Sequence, residues 1–164
     1  MRTDSQVMEV SKRNVPGSSV GSYILELIAE ESETVRIGAR GALRIEPGYF
    51  YYCGSAFGPG GLEARIGRHF KTKKSHHWHI DYLRSRLAIR EAWISRDAVN
   101  REHVWAALLD GMRLSKVAMP GFGSSDCRCP AHLFYFKRAL RFETFRKEAL
   151  FSGMKHFERS TASL

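Results

Sequence analysis

The chain has no apolar run long enough to cross a bilayer, and its first residues lack the basic-then-apolar order of a secretion signal. Both absences point away from a membrane partner and toward the cytoplasm. Cysteine is scarce and odd in number: Cys53, Cys127 and Cys129 are the only three, which excludes a disulfide framework and suits a reducing compartment. There is no internal repeat and no low-complexity tract, which excludes a repeat array. Nothing in the sequence marks an obligate protein partner. Acidic residues are also in short supply, 17 against 26 Lys and Arg, leaving a net charge of +9.

That excess is unevenly placed. Residues 62–90 hold eight Lys or Arg against Glu63 and Asp81, so six of the nine net charges fall in one stretch. A basic field interleaved with Tyr, Trp and His favours a polyanion, nucleic acid before an anionic membrane surface.

At 164 residues the chain is long enough for one domain with a single core and no disulfide or metal staple. Residues 1–19 are polar and aperiodic and end in Pro16-Gly17-Ser18-Ser19, which predicts a flexible extension before a domain spanning 20–164. Strands are predicted over 21–29 and 34–37, flanking the acidic turn 30–33, and over the aromatic-rich segment 48–54. A helix follows from Leu62, then a short one over 76–86 and a strand over 87–95. Asn100 can cap a helix that runs through Leu109 and stops at Gly111. The glycine-rich loop 120–130 leads into a strand over 133–136, and 141–157 reads as a basic amphipathic helix or pair of helices. The fold class expected is α+β, a small mixed central β-sheet flanked by helices.

The most informative stretch is Tyr51-Tyr52-Cys53-Gly54-Ser55, a glycine-rich turn, and Leu62-Glu63-Ala64-Arg65-Ile66-Gly67-Arg68-His69-Phe70. Leu62, Ile66 and Phe70 recur every four residues and form one apolar stripe, with Arg65 and His69 in a row beside it. An ordinary amphipathic helix with a snorkelling arginine and a satisfied histidine has the same pattern. A tyrosine delivered from a strand end to such a row has the makings of a phosphodiesterase site. The arginine fork matches phosphate and stays charged, which suits Arg65 to a crowded phosphoryl transition state. Glu102 leads the row Glu102, Trp105, Ala106, Leu109, so a carboxylate stands in line with an apolar stripe at a helix start, where the helix dipole alone also favours it.

Gly21-Ser22-Tyr23, then Tyr52-Cys53-Gly54, then Leu62-x-x-Arg65-Ile66-x-x-His69 resemble, in that order, the GIY-YIG nuclease superfamily. Both tripeptides have the middle residue replaced, at positions expected to serve packing. The insertion 30–46, the turn Phe57-Gly58-Pro59-Gly60-Gly61 and the segment from Pro120 to Cys129 resemble its compact, stand-alone Uri-type branch; the likeness spans about residues 20–137. The resemblance implies a GIY-YIG-like sheet and a metal-dependent endonuclease acting on DNA, including branched or damaged structures of the kind met in DNA repair. It implies catalytic roles for Tyr23, Tyr52, Arg65 and His69, with Tyr51 as the register alternative to Tyr52. It implies a helix glutamate, Glu102, holding magnesium or manganese, with Glu91 and Asp81 as substitutes. Arg68, Lys71, Lys73, Lys74 and His76 are then the expected nucleic-acid contacts. The alternative is a non-catalytic nucleic-acid-binding module on the same scaffold.

Two further clusters invite a zinc reading: Ser75-His76-His77-Trp78-His79-Ile80-Asp81, and Cys127-x-Cys129-x-x-His132. Neither has the paired two-residue spacings of a zinc finger. The expectation is that the histidines face phosphate and that the cysteine loop packs near the active site or is inert, without a stoichiometric metal.

Overall fold

The structure, a computed structural model, describes residues 19–151 and 158–161. The extension expected at the N-terminus therefore lies, through residue 18, outside the described residues.

Strand β1 (Gly21–Ala29) is the middle of the sheet because nearly every residue on both of its faces is buried. It pairs antiparallel with β4 (Gly48–Ala56) on one side and β5 (Ala88–Ser95) on the other. Outside these lie β7 (Leu133–Phe136) against β4, β6 (Lys116–Val117) against β7, and β8 (Glu158–Thr161) against β5. The order is β6-β7-β4-β1-β5-β8, and each of these pairings is antiparallel, whereas a mixed sheet was expected. The reason is the position of β1. Strands β4 and β5 run in the same direction, but β1 lies between them, so they never pair directly. The α+β class stands.

Alternation along the strands assigns the two faces. Tyr23, Leu25 and Leu27 of β1 and Phe50 and Tyr52 of β4 point to one face, covered by α1 (Gly61–Phe70) and α2 (His79–Leu83). Ile24, Tyr51 and Cys53 point to the other with Trp93, under α3 (Glu102–Gly111) and α4 (Phe142–Phe151). Each large apolar side chain fully buried in these layers contributes about 1.5–3 kcal/mol. Gly21 is needed because a Cβ there would lie 2.1 Å from the Ser95 carbonyl oxygen of the neighbouring strand.

The insertion 30–46 folds as a second, two-stranded sheet of β2 (Glu33–Arg36) and β3 (Ala42–Ile45), and it places Ile37, Leu43 and Ile45 in the first core layer. Helix α2 is shorter than expected. The Asp81 carboxylate accepts the backbone N–H of His77 (2.8 Å) and Trp78 (2.9 Å), holding the preceding residues out of the helix. Of the helical segment expected over 141–157, α4 occupies 142–151, and 152–157 lie outside the described residues. Among the described residues, no helix is long and apolar enough to cross a membrane.

Candidate active site

Tyr23 lies directly opposite Gly54 in the β1–β4 ladder. A Cβ at residue 54 would come within 2.4 Å of the Tyr23 Cζ and hydroxyl, so glycine here is the floor on which the tyrosine ring rests. Period two then puts Tyr52 on the same face as Tyr23 and sends Tyr51 to the opposite one. There the Tyr51 hydroxyl donates to Glu26 Oε1 (3.1 Å) and accepts the Leu140 backbone N–H (2.8 Å). Of the two register alternatives, Tyr52 is the one that reaches the cleft.

After β4 the chain reverses through Gly60, left-handed at φ 81°, into α1. Leu62, Ile66 and Phe70 are buried as the stripe that the sequence period indicates. Arg65 emerges beside it with its guanidinium 4.3 Å from the centre of the Trp78 ring and against the Tyr23 hydroxyl. His69 is buried, with Nε2 2.7 Å from the Tyr23 hydroxyl oxygen. Burial, followed by the charge of Lys74, holds the imidazole well below its ordinary range, so it is neutral. The Tyr23 and Tyr52 phenols are both pushed above their ordinary range by burial. The next contributor is the neighbouring phenol for Tyr23 and the Glu102 charge for Tyr52.

Glu102 arrives from the other layer. It is the first residue of α3, and its backbone N–H donates to Asn100 Oδ1 (2.9 Å). Ser55 Oγ donates to Glu102 Oε2 (2.7 Å), and Oε1 lies 3.0 Å from His132 Nδ1. Burial pushes this carboxyl up, but His132 and Ser55 outweigh it and hold the group below the usual carboxylate range, hence ionised. Tyr23, Tyr52, Arg65 and Glu102 thus line one open cleft of about 530 Å³, with Trp78 and Asp126 also on its walls.

The substitute carboxylates are elsewhere. Asp81 is buried against Lys74 (2.8 Å) and Arg68 (3.1 Å), and Glu91 accepts Trp93 Nε1–H (3.0 Å) and pairs with Arg159 on the α3/α4 side. Glu91 also faces Glu26 across the sheet, and burial with that second carboxylate raises Glu26 to about 7.

The basic stretch is partly spent on folding. Lys71, Lys73 and His76 are exposed, with the His76 ring centre 4.2 Å from that of Tyr82 and the rings tilted by 44°. Lys74, expected as a nucleic-acid contact, is instead turned inward: its side chain is 5% exposed and its ammonium is held by Asp81 and the Arg68 carbonyl. Arg68 is half-buried and donates to Asp81 and to the Ser75 carbonyl (3.0 Å). Arg84 donates to the buried His69 carbonyl (2.6 Å).

Sequence reasoning missed several residues around the site. Ser55 and Asp126 carry no periodic signal, and Trp78 stood in the His-rich run without a role. His103, on α3, is brought to the cysteine loop only by tertiary folding. Its Nδ1 is 3.3 Å from Cys129 Sγ, and Cys127 Sγ is 3.5 Å from His132 Nε2. His79 is engaged differently, its Nδ1 accepting the Gly123 backbone N–H (2.9 Å).

A protein-family model described as "Domain of unknown function DUF123" matches residues 22–153, and the chain belongs to that family. No curated protein and no solved structure matches it.

Proposed function

We propose that this DUF123-family chain is a metal-dependent endonuclease that hydrolyses DNA phosphodiesters, with branched or damaged DNA as the substrate class. One observation carries the reading: Tyr23, Tyr52, Arg65 and Glu102, drawn from two strands and two helices on opposite faces of the sheet, line the same cleft. Folding alone gives no reason for an ionised carboxylate, a stacked guanidinium and two buried phenols to open onto one solvent-filled space.

Arg65 binds the scissile phosphate and stabilises the charge that develops on its oxygens, with Trp78 holding the guanidinium plane. Tyr23 orients the attacking water. The His69 imidazole, kept neutral by burial, lies with Nε2 2.7 Å from the phenol oxygen and fixes the hydroxyl's position, so Tyr23 acts by aiming the water and not by holding its proton. Tyr52 packs its ring edge-on against His69 (centroids 5.9 Å apart) and holds the pair in place.

The Glu102 carboxylate is ionised, faces the cleft and is oriented by Ser55 and His132, which fits a hard cation such as magnesium or manganese. Bound there, the cation would neutralise charge on the phosphate and the departing oxygen. Exposed Lys71 and Lys73 extend the cationic surface beyond α1 toward the DNA backbone, with His76 exposed beside them as a further phosphate contact. A DNA substrate and three cysteines outside any disulfide fit a cytoplasmic protein.

The test is a cleavage panel of duplex, nicked, flapped and branched DNA, plus RNA, with and without magnesium or manganese. The reading expects metal-dependent cuts in at least one DNA substrate. Salt-sensitive binding with no cleavage under any metal would make the chain a non-catalytic nucleic-acid-binding module.

A further inference from the structure

We propose that His103, Cys127, Cys129 and His132 hold a structural zinc ion at the rim of the cleft. The site goes beyond the nuclease reading and stands whether or not the cleft is catalytic. Its four donor atoms come from the first turn of α3 and from the loop before β7, and all lie within 4.8 Å of one another. Around a tetrahedral zinc, sulfur and nitrogen ligands sit about 3.3–3.8 Å apart. His103 Nδ1 and Cys129 Sγ (3.3 Å) and Cys127 Sγ and His132 Nε2 (3.5 Å) already have that separation, and the other pairs are within about 1.5 Å of it.

The backbone that presents these atoms is fixed independently. His132 donates its N–H to the Phe122 carbonyl (2.7 Å) and accepts the Cys53 N–H (2.9 Å), while Gly121 N–H donates to the Pro130 carbonyl (2.7 Å). His132 is buried and points Nε2 into the cluster, with Nδ1 3.0 Å from Glu102 Oε1. A carboxylate behind the far nitrogen of an imidazole is the arrangement that orients metal-bound histidines.

The donor set selects the ion. Two thiolates and two imidazoles are too soft for magnesium or calcium and match zinc, and two thiolate charges balance the dication. Four protein ligands close the coordination sphere, which makes the role structural. The ion would clamp the start of α3 to the loop that supplies Gly123, Ser125 and Asp126 to the cleft wall. The fourth ligand explains why the spacing Cys127-x-Cys129-x-x-His132 looks incomplete as a sequence motif.

Full-length protein purified without chelator should contain about one zinc per chain by elemental analysis. After metal removal, titration with cobalt(II) should give the visible bands of tetrahedral cobalt together with thiolate-to-cobalt charge transfer. The paired substitution Cys127→Ser and Cys129→Ser should abolish the charge transfer, and His103→Ala should weaken cobalt binding at least ten-fold. Because the cysteine variant risks failing to fold, His103→Ala, altered at an exposed position, serves as the second reading, with circular dichroism as the folding check. A purified chain without zinc whose stripped form gives no thiolate charge transfer overturns the proposal. So does a Cys127–Cys129 disulfide found by thiol titration, or a cobalt spectrum that the substitutions leave unchanged.

Discussion

The Tyr23 hydroxyl and His69 Nε2, 46 residues apart in sequence, meet at 2.7 Å in the buried space between β1 and α1. The contact joins a strand tyrosine facing the cleft to a histidine that is wholly inside, so His69 acts on the cleft only through Tyr23. Burial keeps its folded-state pKa well below the ordinary 6.5. The neutral form that holds the Tyr23 hydroxyl therefore persists as pH falls past 6.5, and the acid limb of the single-turnover pH–rate profile should lie below that value. A limb at or above 6.5 would show an imidazole titrating as if exposed. Tyr23→Phe, which keeps the ring and removes the hydroxyl that aims the water, should lower the rate by about two powers of ten.

Gly54 and Tyr23 form a second pair with a measurable consequence. Gly54→Ala forces a methyl group to within 2.4 Å of the tyrosine ring, and the displaced ring should destabilise the fold by about 1–3 kcal/mol in chemical denaturation. Cleavage should fall as well, since the displaced Tyr23 hydroxyl can no longer meet both Arg65 and His69. Unchanged stability would mean that the strands separate freely at this point.

The Glu26–Glu91 pair gives stability a pH dependence that is separate from the cleft. Glu26 titrates near 4.5 when unfolded and at about 7 when folded, so between those values the folded state holds more protons than the unfolded one. This contribution to stability is complete below pH 4.5 and declines as pH rises to about 7. Glu26→Gln, which mimics the protonated form, should gain on the wild type across that window and hold a constant advantage above it. Thermal melting at several pH values measures this, and an advantage that shrinks with rising pH would contradict the assignment.

Lys71 and Lys73 differ from Lys74 in a way that the uniform basic run conceals. Replacing the two exposed lysines with Gln should flatten the salt dependence of DNA affinity, by about one unit of slope for each phosphate that is no longer neutralised. Lys74→Gln should leave that slope unchanged and destabilise the protein by about 1.5–3 kcal/mol, because buried Asp81 loses a charge-assisted partner. A large change of slope from Lys74→Gln would place its ammonium at the DNA.

The contrast among the lysines marks the limit of what was legible in the sequence. Periodicity located α1, which buries one stripe, whereas β1, β4 and β5, buried on both faces, were legible as short apolar and aromatic runs between turns, and parity along β4 decided between Tyr51 and Tyr52 once β1 was its partner. Short elements gave too little to read: Arg159-Ser160 in β8 is polar and takes its strand form from the neighbour it pairs with, and β3, although Leu43 and Ile45 alternate inward, spans only four residues. The antiparallel sheet depends on which strand lies in the middle, a property of three segments together. At the site, Arg65, His69 and the two tyrosines could be read from order and spacing. The sequence could not show that Asp81 consumes Lys74, or that His103 completes a ligand set with residues more than 20 positions away, because both depend on how loops fold across helices.

Arg65→Ala tests the central claim most directly, since this residue faces the cleft beside the Tyr23 hydroxyl, and under the proposed function many other cations would share the contacts to the DNA backbone. The measurement pairs the single-turnover cleavage rate with DNA affinity at one salt concentration, and thermal melting excludes unfolding. The account predicts a rate lower by about two to three powers of ten with a much smaller change in affinity, because the guanidinium acts on charge that develops in the transition state. Equal losses of rate and affinity, or a rate that does not change, would contradict it.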